Sequence, residues 1–387
     1  MMTKQKRTLL VVTPVLFSFF VMSFCDLVGI GVDNAKTDFQ LSNTLAQLIP
    51  MAVFVWFFVL SLPVGILQDR IGKRKMVNTG MILTATGLLL PFLIYTFPTL
   101  LAGFVLLGIG NTIMQVSANP LLIDVVPTNR RSSFLSFAQF VKAIGSMVAP
   151  FVAAWFASSF GDWKLMFLAF GLFSLLSVVW LHFSPVTETV STEKKATFGS
   201  AVRLLNIPFI VLMVIGIFFV VGIDVGINST SGQFLMDKLG MDHEPAMQGR
   251  SLYFFGKMLG TFVGAILLTR LHSGKFLLFS AIATLAAILA FLWSTTPAFA
   301  LTLMFLTGMA ASNIFPLIFS ITVGNYSDRT NEISGLMIMA VSGGAFIPPL
   351  VGKISDLTSL TAGMFVFVVC ALYLVFISVF AMSRSEK

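Results

Sequence analysis

The chain has 387 residues, of which 57% are hydrophobic and 10% are charged, and its formal net charge is +8 at pH 7. About a quarter of the residues in a soluble globular domain are charged, so this composition excludes a soluble protein and predicts one embedded in a membrane. The basic residues are spread over short segments between apolar runs, which argues against a nucleic-acid-binding surface. Both cysteines lie inside apolar runs, so no disulfide framework is expected.

Apolar runs long enough to cross a bilayer recur along the whole chain. A membrane-spanning helix needs about 20 mostly apolar residues. Asp26 interrupts the first apolar run, and no small-residue cleavage site follows that run. We therefore interpret the first run as a membrane span rather than a signal peptide. We predict twelve spans, numbered 1 to 12, over residues 9–32, 45–67, 76–95, 98–124, 132–158, 164–184, 207–234, 250–270, 275–294, 297–324, 332–355 and 361–383.

Basic residues between the spans are concentrated on one side. The two termini and the connections after even-numbered spans hold seventeen Lys and Arg residues, whereas the connections after odd-numbered spans hold five. Basic residues are retained on the cytoplasmic side of a membrane. We therefore expect a multi-pass protein of the cell (inner) membrane with both termini in the cytoplasm.

The middle of the chain contains the least apolar cytoplasmic connection, residues 185–206. We interpret it as a linker between an N-terminal six-helix half, 1–184, and a C-terminal six-helix half, 207–387. A short internal sequence similarity suggests that one half arose by duplication of the other. The segment Asp26-Leu-Val-Gly-Ile in span 1 is similar to Asp224-Val-Gly-Ile in span 7. Two similar halves around a midplane site are a transporter arrangement. The predicted fold is an all-α membrane protein of twelve transmembrane helices in two pseudo-symmetric halves.

The connection between spans 2 and 3 combines glycines with charge. Glycine lets backbones approach closely, and an aspartate can cap a helix or pair with an arginine. The segment reads Gly65-Ile-Leu-Gln-Asp69-Arg70-Ile-Gly72-Lys73-Arg74-Lys75. This spacing resembles the loop between helices 2 and 3 of the major facilitator superfamily. The resemblance implies a gating loop formed by Gly65, Asp69, Arg70, Gly72 and Arg74.

Four charged residues lie more than five positions from either end of a predicted span, namely Asp26, Lys142, Asp224 and Lys257. A charge in the middle of a membrane helix costs about 2.5–3.5 kcal/mol on insertion scales, so a functional role is the default interpretation. Asp26 can instead be a purely structural partner of a lysine, and Lys142 can extend to the cytoplasmic interface. We expect Lys142 to pair with Asp26 and Lys257 to pair with Asp224.

Polar uncharged side chains provide candidate ligands for a hydroxylated solute. Amides four residues apart form one stripe on span 4, and such a stripe can bind hydroxyl groups or join another helix. A tryptophan can stack on a sugar ring or simply pack. The candidates are Trp56, Asn111, Gln115, Asn119, Gln139, Asn228 and Asn313. Three scattered histidines form no metal set, so we expect no cofactor, no metal and no enzymatic activity.

Spans 7, 10 and 11 carry a closer resemblance. Span 10 contains Asn313-Ile-Phe-Pro, and span 11 contains Ser334-Gly-Leu-Met-Ile-Met-Ala-Val-Ser-Gly343-Gly-Ala-Phe-Ile-Pro348-Pro349. With Val221-Gly-Ile-Asp224-Val-Gly-Ile-Asn228-Ser in span 7, these segments resemble the fucose–proton symporter family within the superfamily. The resemblance implies sugar uptake by alternating access, with Asp224 at the family's acidic position. Proton coupling through Asp26, Asp224 or both is the expectation, and sodium coupling is the alternative.

The sequence also departs from that family. Gln115 stands where the family has a glutamate, and the helix-1 Asn-Asp pair of the family falls on Val28 and Gly29. Gly222, Gly226 and Gly232 predict that span 7 bends or unwinds, and the adjacent prolines predict a kink in span 11. Two other transporter classes stay open: a drug exporter, whose cavity is typically more apolar, and an organic-anion or sugar-acid carrier using Lys142 or Lys257.

The distribution of basic residues gives a testable topology. A cysteine introduced at Thr192, in the predicted linker, is expected to resist membrane-impermeant maleimide applied outside intact cells and to react after the membrane is permeabilised. Labelling from outside would contradict the predicted orientation.

Overall fold

The computed structural model describes residues 4–41, 48–186, 188 and 198–385. These residues are almost entirely helical and include no strand. Eleven of the helices are long and apolar enough to cross a membrane, and Ser251–Leu267 is a shorter apolar helix at the position of span 8. The all-α fold is confirmed. Much of the predicted linker, including Thr192, lies outside the described residues.

Nine spans consist of one helix. They are span 2, Leu48–Ile71; span 3, Lys73–Leu93; span 4, Phe97–Val125; span 5, Arg131–Phe160; span 6, Leu165–Phe183; span 7, Pro208–Leu239; span 8, His243–Leu267; span 9, Ser273–Leu292; and span 12, Leu360–Ser385. Short elements lie outside the spans, namely the α-helix Phe198–Arg203 and the 3₁₀ segments Thr128–Arg130, Leu204–Asn206 and Ser327–Arg329.

Spans 1, 10 and 11 are interrupted. Span 10 consists of Pro297–Ala311 and Ile314–Asn325. The other two change to 3₁₀ geometry between two α-helices: span 1 is Lys4–Met22, Ser23–Leu27 and Val28–Asp38, and span 11 is Thr330–Met339, Ala340–Ser342 and Gly343–Leu357. An interruption removes regular backbone hydrogen bonds, and in hydrocarbon the freed groups need partners within the protein.

Span 7 is one continuous α-helix and does not unwind, and the alternative expectation that it bends remains a prediction. Its glycines instead make room for side chains, because a β-carbon at Gly222 would overlap Ile347 and one at Gly226 would overlap Phe367. In span 11 the 3₁₀ segment Ala340–Ser342 ends six residues before Pro348, beyond the turn with which a proline ring clashes, so the kink expected at the prolines remains a prediction.

The contacts of the chain define two compact units. Unit 1 comprises residues 1–128, 144–204 and 328–339, and unit 2 comprises residues 129–143, 205–327 and 340–387. The start of span 5 therefore groups with unit 2, and the first helix of span 11 groups with unit 1. The two sequence-based halves remain a prediction.

Unit 1 is held together by glycine contacts between spans 3 and 4. A β-carbon at Gly80 would meet the carbonyl oxygen of Gly110, and a β-carbon at Gly110 would meet the carbonyl oxygen of Gly80. Gly87 and Gly103 form a second reciprocal pair. Without a hydrophobic driving force between helices in lipid, such close backbone approach is a main source of helix association.

At the end of span 1, Asp38 bonds residues of two connections of unit 1. Its Oδ2 accepts hydrogen bonds from the Tyr95 hydroxyl at 2.7 Å and from Trp163 Nε1 at 3.2 Å. Burial, together with the neighbouring Asp38 carboxylate, raises the pKa of Tyr95 above its usual value. Tyr95 therefore stays protonated and continues to donate this hydrogen bond well into the alkaline range.

In unit 2 the backbones of spans 8 and 10 come close together. A β-carbon at Gly256 would overlap the Phe305 carbonyl oxygen, and one at Gly308 would overlap the Tyr253 carbonyl oxygen. One turn further, Gly260 makes the same contact with Met309. The small-xxx-small spacing of Gly256 and Gly260 is the pattern that allows two membrane helices to touch along their backbones.

This contact gives a stability test. Alanine in a helix is normally more favourable than glycine, but at Gly256 it must push span 10 away, at a cost of about 1–3 kcal/mol typical of overpacking. Gly256→Ala is therefore expected to lower the melting temperature of the purified protein. Gly352→Ala, where nothing lies within 4 Å of the new β-carbon, is the matched control and should be neutral or stabilising. Equal melting temperatures for the two variants would contradict the packing account.

Candidate transport site

Asp26 lies within the 3₁₀ interruption of span 1. Its Oδ2 accepts a hydrogen bond of 2.5 Å from the Ser146 hydroxyl of span 5, and Cys25 Sγ lies 3.6 Å from its Oδ1. The neighbouring Gly145 brings span 5 against Ser23, because any side chain there would overlap the serine hydroxyl. The described partners of this membrane carboxylate are therefore neutral donors.

The expected pairing of Lys142 with Asp26 remains a prediction, because Asp26 belongs to unit 1. Lys142 belongs to the segment of span 5 that groups with unit 2. Its positive charge acts on Asp224 of span 7, which belongs to the same unit.

Unit 2 contains the expected ion pair between Asp224 and Lys257. Lys257 Nζ contacts Asp224 Oδ2, and the two side chains are 27% and 28% exposed. The fully buried Tyr253 donates a hydrogen bond of 2.7 Å to Asp224 Oδ1. Both carboxylate oxygens are therefore engaged, and the role of the pair in coupling remains a prediction.

The amide stripe of span 4 forms a chain of hydrogen bonds that ends on span 1. Asn111 Nδ2 donates to the carbonyl oxygen of Met22 at 2.9 Å, and Gln115 Nε2 donates to Asn111 Oδ1 at 2.8 Å. Asn119 Nδ2 donates to the Gln115 carbonyl oxygen at 2.8 Å. Met22 is the last α-helical residue before the interruption, so Asn111 supplies the donor that its carbonyl needs.

Several buried polar atoms lack a hydrogen-bond partner in the part of the chain that the structure describes. In unit 1 these include Asn119 Oδ1 and Trp56 Nε1. In unit 2 they include Asn313 Oδ1, whose amide nitrogen donates to the Gly260 carbonyl oxygen at 2.7 Å. Asn313 therefore joins two helices and still presents an acceptor. Gln139 and Asn228, also in unit 2, are partly buried.

The predicted gating loop makes its contacts within unit 1. Asn331 Nδ2 donates to Asp69 Oδ1, and Gly65 lies against the backbone of Asn331 and Gly335. Gly72 adopts a φ of 95° at the helix N-cap, a conformation that favours glycine. Arg70 is exposed.

Two acidic residues that sequence reasoning missed complete the contacts of this loop. Glu188 accepts hydrogen bonds from the backbone nitrogens of Lys73 and Arg74 at 2.6 and 2.9 Å, which caps the start of span 3. Lys73 Nζ pairs with Asp124 at 2.6 Å, and both side chains are less than a tenth exposed. Arg74 also donates to the Ser184 carbonyl oxygen at 2.9 Å.

Sequence reasoning also missed Tyr253 and Ser146. Each lies four residues from a lysine that was singled out, Tyr253 before Lys257 and Ser146 after Lys142. Residues four apart share a helix face, so this spacing was a usable signal. Tyrosine and serine are common in apolar spans, however, and the spacing alone does not identify their carboxylate partners.

Comparisons with known proteins identify the family of the chain. The family model of the Major Facilitator Superfamily matches residues 14–349. A glucose/galactose transporter of Brucella abortus (strain 2308) is 29% identical over 399 residues, covering 97% of this chain and 94% of that protein. The L-fucose-proton symporter of Escherichia coli (strain K12) is 24% identical over 393 residues, covering 91% and 88%.

Solved structures show the same fold. The crystal structure of the transporter FucP in the outward conformation superposes with a TM-score of 0.83 and covers 97% of this chain and 99% of that one at 19% identity. The proton:xylose symporter XylE gives a TM-score of 0.78 at 16% identity, covering 97% and 95%. At these identities the match establishes the fold alone.

The ion pair gives a test that does not depend on transport. Lys257→Gln leaves the Asp224 carboxylate without its cation in a largely buried site, and we expect a loss of about 1–3 kcal/mol of stability. Adding Asp224→Asn removes the uncompensated charge, so the double variant should recover part of the loss. Thermal unfolding of the four proteins in one detergent measures the coupling. Strictly additive losses would show that the two side chains do not interact.

Proposed function

Because the chain belongs to the Major Facilitator Superfamily, we propose that it is a secondary active transporter that takes up a sugar together with a proton by alternating access. Relatives that match nearly the full length of the chain are a glucose/galactose transporter and an L-fucose-proton symporter. The observation that carries the proposal is the membrane carboxylate Asp26, which lies in a helix interruption and is bonded by Ser146.

The buried polar atoms support a hydroxylated substrate. A buried polar atom without a hydrogen bond costs free energy until a partner arrives. Asn119 Oδ1 and Asn313 Oδ1 are acceptors, and Trp56 Nε1 is a donor. A sugar hydroxyl donates and accepts, so it can satisfy both kinds of atom, whereas a lipophilic drug molecule satisfies few of them. We therefore assign these three residues, with Gln115, Gln139 and Asn228, to substrate binding.

The two membrane carboxylates receive different roles in this proposal. Protonating Asp26 breaks no ion pair among its described contacts, which are with Ser146 and Cys25. Protonating Asp224 requires the loss of its contact with Lys257. We assign proton binding to Asp26, and we assign to Asp224 the role of a counter-ion whose pairing with Lys257 changes during the transport cycle. Coupling then follows if protonation favours one transport state over the other.

The distribution of basic residues supports the orientation of the proposed transporter. Seventeen Lys and Arg residues on one side against five on the other favour cytoplasmic termini in the cell (inner) membrane. With this orientation the segment Gly65–Arg74, which includes the Asp69–Asn331 contact, lies on the cytoplasmic side. We propose that it acts as the cytoplasmic gating contact.

Paired transport assays on Asp26→Asn test the assignment. In proteoliposomes the variant is expected to lose pH-driven glucose or galactose accumulation, falling to the level of the no-gradient control, because no proton can bind. It is expected to retain sugar counterflow, which needs no net proton movement. Asp237→Asn, which changes an exposed carboxylate, should behave as the wild type in both assays.

The same assays on Asp224→Asn address the counter-ion role. We expect this variant also to lose accumulation, since an unpaired Lys257 disturbs the site in every state. Full concentrative uptake by both variants would remove the carboxylates from the mechanism.

A further inference from the structure

A groove of about 350 Å³ lies in unit 2, where span 5 begins and span 8 ends. Phe134 and Phe137 of span 5 form one wall, and Phe262 and Ile266 of span 8 form the other. Arg130 stands at the end of the groove, immediately before the first residue of the span 5 helix. The proposed sugar site does not use any of these residues.

The walls of the groove are suited to a hydrocarbon chain. Phe262 and Ile266 are 40% and 56% exposed, and exposed apolar side chains on a membrane span face lipid. The two hydroxyls that also line the groove are already bonded internally: Ser133 Oγ donates to the Ala265 carbonyl oxygen at 2.5 Å, and Thr269 Oγ1 donates to the Ile266 carbonyl oxygen at 2.7 Å. The walls therefore present little besides apolar surface.

The end of the groove is positively charged. Arg130 is exposed, and Arg270, which follows the lining residue Thr269, is exposed as well. Arg131 Nε is buried and has no hydrogen-bond partner in the described part of the chain. The N-terminus of the span 5 helix adds partial positive charge at the same place. Apolar walls that end in a cationic rim at the border of the span match a lipid with a negative headgroup.

We propose that this groove binds an anionic glycerophospholipid, with one acyl chain between Phe137 and Phe262 and the phosphate group at Arg130. Free phosphate would leave the apolar walls uncovered, and a zwitterionic lipid would bring its own cation to the basic rim. Phe140 and Phe262 already pack at a centroid distance of 5.0 Å, so the lipid extends an existing contact between the two helices. The same two helices carry Lys142 and Lys257, whose charges act on Asp224. A lipid that holds the two helices together therefore stabilises the part of unit 2 that surrounds Asp224.

Lipid binding to the purified full-length protein tests the proposal. Native mass spectrometry with equal amounts of phosphatidylglycerol and phosphatidylcholine should show about a fivefold preference for phosphatidylglycerol, the factor expected for one basic residue near an anionic headgroup. Arg130→Gln should reduce that preference to near unity, and Arg130→Lys should retain it. Arg203→Gln, which removes an exposed arginine from unit 1, is the matched control and should bind as the wild type.

A second variant tests the acyl-chain groove. Ala265→Phe fills the groove from a buried position and should lower the binding of both lipids. Phosphatidylglycerol should raise the melting temperature of the wild type and of Arg203→Gln but not of Arg130→Gln, while inorganic phosphate should have no effect. Equal binding of the two lipids by the wild type, or an unchanged preference in Arg130→Gln, would overturn the proposal. Stabilisation by inorganic phosphate would do the same. None of these results depends on sugar transport.

Discussion

No water is available inside a bilayer to bond a backbone carbonyl that leaves the α-helical pattern, and this constraint governs where the chain can depart from a regular helix. In span 1 the first α-helix ends at Met22, and the carbonyl oxygen of Met22 accepts a hydrogen bond from Asn111 Nδ2. In span 10 the interruption lies at Asn313, whose amide bonds the carbonyl oxygen of Gly260. Asn111 therefore bonds irregular backbone directly, Asn313 anchors an interrupted helix to its neighbour, and such amides also supply polar atoms of the proposed substrate site.

Close helix packing is the condition for the charged contacts. Gly256 stands between Tyr253 and Lys257 on span 8, and its missing side chain allows span 10 to approach. Tyr253 and Lys257 are thereby held on one rigid helix and engage both oxygens of Asp224. In the same way Gly145 brings span 5 against span 1, next to the Ser146 hydroxyl that bonds Asp26. The glycines thus determine which helices come close enough for their side chains to bond Asp26 and Asp224.

Hydropathy predicted the twelve spans because a bilayer imposes a length and a composition on each of them. The ion pair between Asp224 and Lys257 was also predictable, since each charge inside a span needs a partner and these two lie in consecutive spans. The hydrogen bond from Ser146 to Asp26 was not predictable. Ser146 faces Asp26 because of where Gly145 lets span 5 approach, and residues 129–143 group with unit 2. Local spacing cannot report such three-dimensional packing, and for the same reason it did not place the interruption of span 11 before Pro348.

Sugar-driven proton movement is the most direct measure of the proposed co-transport of sugar and proton. Proteoliposomes that contain the wild-type protein and a trapped pH-sensitive dye are prepared without any ion gradient, and glucose or galactose is added outside. The account predicts that the interior acidifies as sugar enters, with a rate that follows sugar uptake and is abolished by a protonophore. Sugar uptake at the same rate with no change in internal pH would contradict the account.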